Sequence, residues 1–171
     1  MIFQNRRIPA LVYTISLALF ACTFTAPPIA LANEPVANWS LLDASGENIN
    51  FYDDAQGQPA VLLFWATWCP YCRALMPYLE SLRQEFSDRG VRFYALNIWE
   101  DADPIAYMRE KNFGFRLMLE ADDVAKEYGI KGTPGLIAVD ARRKIIYQRR
   151  SGTSPEQVET ELMNALENLL K

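Results

Sequence analysis

Six consecutive apolar residues, Ala60–Trp65, run almost directly into a helix whose first turn holds two cysteines. A strand with no polar alternation must be covered on both faces, which calls for a sheet with helices on each side. Leu75, Leu79, Leu82 and Phe86 then fall at offsets of 0, 4, 7 and 11. That spacing is one helical face and predicts a helix to about Arg89. Pro77 falls inside it and is expected to kink it.

The rest of the chain alternates in the same way. Residues 36–42 and 49–52 read as strands joined around Asp43-Ala44-Ser45-Gly46, and residues 53–59 as a loop. Residues 91–98 are the next strand. Asp103 and Pro104 are suited to cap and open a helix through Lys111. Residues 115–119 form a short strand and 122–128 a short helix closed by Gly129. Residues 136–140 and 144–150 flank the turn Ala141-Arg142-Arg143 as a hairpin. Ser154-Pro155-Glu156-Gln157 is a capping box that opens a last helix, with Val158, Leu162, Leu166 and Leu169 on one face. The order is an added N-terminal hairpin, βαβ, α and ββα: an α/β fold with a central mixed sheet flanked by helices on both faces.

The first 32 of the 171 residues read as an export signal, leaving 33–171 as one domain. Arg6 and Arg7 precede 25 uncharged residues from Ile8 to Ala32, and Ala30-Leu31-Ala32 is a small-x-small cleavage pattern. Two other readings stay open. One is an uncleaved anchor, since roughly 20 apolar residues span a bilayer, although Pro27 and Pro28 would break such a helix. The other is lipidation at Cys22, from which the bulky Phe20 departs. Export is common to all three, and the membrane enters only through such an anchor. Loss of the segment removes two basic and no acidic residues, taking the net charge from −4 to −6. Nucleic acid is disfavoured by that balance.

The mature region keeps two cysteines, Cys69 and Cys72, too few for a disulfide-stapled scaffold. The chain has no histidine and no second cysteine pair, so a zinc site lacks ligands, and neither metal nor cofactor is expected. A structural disulfide across two residues would constrain too little chain to matter. The location favours chemistry. Cys69 falls at a helix N-terminus, where free amides and the helix dipole favour a thiolate. A thiol of pKa about 8.5 is about 3% ionised at pH 7, and one lowered to about 7 is half ionised, a shift of about 2 kcal/mol. Cys72 lies one turn deeper on the same face. Cys69 is thus the candidate nucleophile toward a partner's disulfide, and Cys72 the residue that resolves the mixed intermediate.

Trp65-Ala66-Thr67-Trp68-Cys69-Pro70-Tyr71-Cys72 resembles the active site of the thioredoxin superfamily, and more closely its TlpA/ResA-like exported branch; the resemblance runs from about Val36 to Leu170. It implies the thioredoxin fold and a thiol-disulfide oxidoreductase acting on protein thiols and disulfides. It also implies that Gly132-Thr133-Pro134 faces the cysteines, with Pro134 cis and the Thr133 backbone presented to the incoming chain. The spacing alone leaves cis and trans open. An extended client segment would pair there with little sequence preference. Family members often have threonine where this chain has Gly135. The aspartate by which thioredoxin itself helps deprotonate the resolving thiol is replaced by Leu63. The branch is similar instead at Asn97-Ile98-Trp99-Glu100, which implies that Glu100, partly buried and raised in pKa, accepts a proton from Cys72. Read without the resemblance, Glu100 is a solvated acid heading an acidic cluster with Asp101 and Asp103. Trp99 is unusual where relatives often have a small residue.

Among the remaining candidates, Phe64, Trp65 and Phe93 belong to the core by type and position. Trp68 is expected partly exposed beside the sulfur; Pro70 and Tyr71 are substrate-contact candidates, Tyr71 equally a solvated residue. Arg142, Arg143, Lys144, Arg149 and Arg150 read as solvated hairpin charges. The direction of electron flow stays open. Pro70-Tyr71 matches many glutaredoxins, the histidine dipeptides of strong oxidants and isomerases are absent, and the branch implies a reductase. Such proteins keep thiols reduced, apocytochrome c among them, and draw electrons from a membrane thiol carrier. A peroxidase of the peroxiredoxin type would want threonine or serine at Ala66. A disulfide oxidant or isomerase and a redox-gated binding or chaperone module without turnover are the remaining alternatives. A monomer is expected.

Overall fold

The computed structural model describes residues 34–171. The export segment and Cys22 lie outside the described residues. The chain opens with a hairpin, β1 (Ser40–Leu42) and β2 (Asn48–Asn50), shorter than residues 36–42 and 49–52 suggest. Before β1 the backbone is used elsewhere: the Val36 amide donates to the Arg143 carbonyl and the Asn38 side chain accepts from the Tyr52 amide. The expected loop at 53–59 is in part a helix, α1 (Phe51–Ala55). Asn50 caps it by accepting from the Asp53 amide, and Phe51 and Ala55, four residues apart, bury on one side.

The central strand is β3 (Ala60–Trp65), buried at all six positions. The helix after it, α2 (Pro70–Phe86), stays continuous through Pro77 and gives way to a single 3₁₀ turn (Ser87–Arg89). Next come β4 (Arg92–Asn97), α3 (Pro104–Lys111), β5 (Arg116–Met118), α4 (Asp122–Glu127), β6 (Gly135–Val139), β7 (Ile145–Gln148) and α5 (Pro155–Leu169). The five-stranded sheet has the order β5-β4-β3-β6-β7, with β3, β4 and β5 parallel, β6 antiparallel to β3 and β7 antiparallel to β6. The hairpin adjoins the β5 edge, where the Leu119 amide donates to the Leu42 carbonyl.

Alternation along β3 divides the core. Val61, Leu63 and Trp65 face Leu75, Leu79, Leu82 and Phe86 of α2 and Val158, Leu162 and Leu166 of α5. Ala60, Leu62 and Phe64 face Phe51, Trp39, Tyr94 and Val124 on the other side. Each such large apolar side chain contributes about 1.5–3 kcal/mol by burial, so the helical stripes suffice to pin both layers. Leu169 is only partly buried, at the frayed end of its face.

Strand register decides what meets at the active end. Trp65 pairs with Asn97 and Phe64 with Gly135. The segments following β3 and β4 and preceding β6 therefore emerge side by side, at the carboxyl end of the parallel strands.

Two of the hairpin arginines depart from the expected solvated state. Arg143 is 6% exposed. Its guanidinium lies 4.8 Å from the Phe51 ring centroid, and its Nη1 donates to the Gln58 carbonyl at 2.8 Å. The turn folds it back over α1, where an aromatic face and a free carbonyl replace water. Arg149 is half-buried and donates to the carbonyls of Pro134 (3.2 Å) and Thr153 (3.1 Å).

Candidate active site

Cys69 is the N-cap of α2, with extended backbone, and Pro70 occupies the first turn. The sequence folds this way because proline needs no amide partner there and its fixed φ suits a helix start. The Cys69 sulfur takes the capping position and accepts the Cys72 amide at 3.2 Å. Neither cysteine is bridged, and exposure is 2% for Cys69 and 0% for Cys72. Burial above all, then the hydrogen bond with Cys69, pushes the Cys72 thiol far above its usual range; the Ala66 amide and the Thr133 hydroxyl pull the other way. Cys72 is therefore a protonated thiol at neutral pH, next to two donors able to stabilise its anion. Leu63 sits in the same apolar cluster as both cysteines.

The raised pKa expected of Glu100 is reversed. Burial does push the carboxyl up, but donations from the Thr67 hydroxyl, the Asn97 amide side chain and the Thr67 and Asp101 backbone amides outweigh it. The distances are short: Thr67 Oγ1 to Oε1 2.6 Å, Thr67 N to Oε2 2.9 Å and Asn97 Nδ2 to Oε2 2.6 Å. The Asp101 and Ala102 amides add bonds at 3.0 and 3.1 Å. Glu100 is held below the ordinary glutamate range, an anion with its acceptor sites filled.

Trp99 precedes it with a positive φ of 52°. That backbone aims its carbonyl at the Trp68 indole, which donates at 2.7 Å, while the Trp99 amide donates to Asp122 Oδ1 at 3.2 Å. Trp68, Trp99 and Tyr71 are 45%, 42% and 72% exposed; Trp68 and Tyr71 flank the buried Cys69 and Cys72 in sequence, and Trp99 is held to Trp68 by the bond above. Pro70 is exposed beside them.

The Thr133–Pro134 peptide is cis. Pro134 is buried, Thr133 half-buried, and both line a cavity of about 540 Å³ bounded by Tyr71, Arg149 and Thr153. Arg149, which binds the Pro134 carbonyl, is the site residue that sequence reasoning missed; its one signal was the short hairpin that returns β7 beside β6. At Gly135, where the resemblance led to threonine as the expected residue, an added Cβ would lie 2.8 Å from Ile130 Cγ2 and 3.3 Å from Phe64 Cβ. Ile130 fills the space that the threonine would need.

A family model described as the AhpC/TSA family matches residues 32–148. The chain belongs to that family. Within it, this AhpC/TSA protein is similar to proteins of disulfide exchange. Thiol-disulfide oxidoreductase ResA of Halalkalibacterium halodurans is 28% identical over 151 residues, covering 85% of each chain. Thiol:disulfide interchange protein DsbE of Escherichia coli K12 is 31% identical over 138 residues, 78% of this chain and 72% of that one. The crystal structure of the thioredoxin domain of a thiol-disulfide oxidoreductase from Bacteroides vulgatus superposes with a TM-score of 0.68 at 23% identity, covering 82% of this chain and 98% of that one, and shows the shared fold. The protein is a thiol-disulfide oxidoreductase of the ResA/DsbE type with the thioredoxin fold.

Proposed function

We propose that this oxidoreductase is exported and reduces disulfides in other proteins, with Cys69 attacking and Cys72 resolving. The observation that carries the reading is the pairing of a capping sulfur at the start of α2 with a buried, proton-holding thiol one turn deeper. The Cys69 thiolate attacks a client sulfur; the client disulfide breaks and its other sulfur leaves with the electron pair. Cys72 then gives up its proton and displaces the remaining client sulfur from Cys69. The departing client thiolate takes up a proton, and the Ala66 amide and Thr133 hydroxyl stabilise Cys72 as it becomes anionic. Glu100, saturated with donors, serves as a positioning residue for the segment before Cys69.

Two further features favour reduction. Strong disulfide oxidants owe their potential to a stabilised reduced form. Here the Cys69 sulfur accepts an uncharged amide, and the chain contains no histidine. Peroxide chemistry is disfavoured because Ala66 supplies no hydroxyl and that of Thr67 is committed to Glu100. Maturation of c-type cytochromes, with a membrane thiol carrier as electron source, is the setting we propose by analogy with the branch; a signal peptide over residues 1–32, with an anchor as its alternative, and a monomeric state are parts of the same proposal.

The deciding experiment is the reduction potential of the Cys69/Cys72 couple. A value near about −270 mV, like thioredoxin, supports a reductant; a value near about −120 mV makes the protein an oxidant and sinks the proposed direction.

A further inference from the structure

Three cavities meet at Pro134 and Arg149. The cavity of about 540 Å³ lies between Tyr71 and residues 151–155, and one of about 340 Å³ continues past Thr133 to Lys131. Arg149 lines all three, Lys131 lines the one of about 340 Å³, and among the described residues no carboxylate lines any of them. This cationic groove belongs to a chain whose net charge is −4. The α5 acids Glu156 and Glu161 are turned to Tyr78 and Arg150.

Arg149 is also held in place. Two of its N–H donors are fixed by the Pro134 and Thr153 carbonyls. A guanidinium carries more donors than that, in a rigid fork suited to carboxylates. Because the side chain is already ordered, it gives up little further freedom on binding an anion. The carbonyl it grips belongs to Pro134, beside Thr133, where the client backbone would lie.

We propose that this groove selects client segments that carry a carboxylate near the disulfide, with Arg149 as the specificity-determining residue and Lys131 adding to the field. The proposal rests on the oxidoreductase reading above, since the client must lie along Thr133 and Pro134 for its sulfur to meet Cys69. Basic segments are excluded by the same charges.

The test uses three peptides of one sequence, each with a single cysteine carried as its 2-pyridyl disulfide. They differ only in two flanking residues: glutamate, glutamine or lysine. The full-length protein is reduced beforehand and freed of reductant. Cys69 attacks the peptide sulfur and pyridine-2-thione leaves with the electron pair. Cys72 then closes the Cys69–Cys72 disulfide and releases the peptide thiol, so the protein's own dithiol supplies both electrons. At low salt the glutamate peptide should react about three- to tenfold faster than the glutamine peptide, and the lysine peptide slower by a similar factor. Added salt should compress the series.

Arg149→Gln and Lys131→Gln should each shrink the ratio of glutamate to lysine rates, and Arg149→Lys should keep part of it. The ratio is internal to each variant, so a general loss of rate from a disturbed Pro134 segment does not imitate it. Lys131 is exposed, and its variant stays informative if Arg149→Gln does not fold. Equal rates across the peptides, or a lead for the lysine peptide, overturn the carboxylate preference while disulfide exchange stands. If no peptide reacts, the oxidoreductase reading falls and the preference with it.

Discussion

Glu100 grips Thr67 twice, taking its backbone amide on one carboxylate oxygen at 2.9 Å and its hydroxyl on the other at 2.6 Å. Two residues beyond Thr67 is Cys69. The contact ties the segment after β4 to the one that carries Cys69, and the Asn97 side chain donates to the same carboxylate. A carboxylate with every acceptor occupied is better suited to holding a loop than to taking a proton. Glu100→Gln replaces an acceptor oxygen with a donor that must face one of these N–H groups. The substitution should cost roughly 1–3 kcal/mol of stability. The dependence of the resolving step on pH should keep its midpoint. A midpoint displaced by a unit or more would restore Glu100 as the group that titrates with Cys72.

The two cysteines should fail in different ways. Cys69→Ser should reduce exchange with a protein disulfide to background, because burial and its neighbours hold the Cys72 thiol protonated. Cys72→Ser should still attack and then stop, accumulating a covalent mixed disulfide visible on non-reducing gels. Trapped adducts in Cys69→Ser, or none in Cys72→Ser, would reverse the assignment of attack and resolution.

How much of this was legible in the sequence follows from where the partners of each residue lie. The β3 run and the α2 stripe could be read directly, because apolar periodicity is a local property and Leu75, Leu79, Leu82 and Phe86 all became core. The position of Cys69 at a helix start followed from the same boundary. Helix α1 escaped notice because five residues make too short a pattern, and only the Asn50 cap marks it. The shift of Glu100 could not be read at all. Its donors span residues 67 to 102, and only the pairing of Trp65 with Asn97 brings them together. Arg143 and Arg149 looked solvated for a similar reason: a charged side chain reads as surface until the aromatic face or carbonyl it folds onto is known.

Gly135 offers a test of packing beside the groove. Its missing side chain lets Ile130 pack against the start of β6, so Gly135→Ala should destabilise the fold by about 1–3 kcal/mol and Gly135→Thr by at least as much. Thermal or urea unfolding measures this. The double variant Ile130→Ala, Gly135→Thr should recover part of the loss caused by the threonine. No recovery would mean that Ile130 is not what excludes a side chain there.

Acid stability provides a last test, through Glu80. This α2 carboxylate is 8% exposed and accepts from Arg83 Nε at 2.9 Å and Nη2 at 2.7 Å, from Gln84, and from the Gly114 amide at 3.0 Å. It joins the helix to the turn entering β5. Burial pushes its acidity toward neutrality, but Arg83, Gly114 and Gln84 prevail and hold it below the usual range, as the donors of Glu100 do there. The unfolded chain therefore binds more protons at these sites than the folded one around pH 4. Their contribution is complete above the ordinary glutamate value of about 4.3 and drains away as pH falls through the depressed folded values. The urea midpoint should hold steady from neutrality down to about pH 5 and fall steeply below about pH 4. Glu80→Gln should lower the neutral plateau by roughly 1–3 kcal/mol and flatten the acid limb, because one of the depressed carboxylates no longer titrates. An acid limb of unchanged slope in Glu80→Gln would place the linkage elsewhere in the chain.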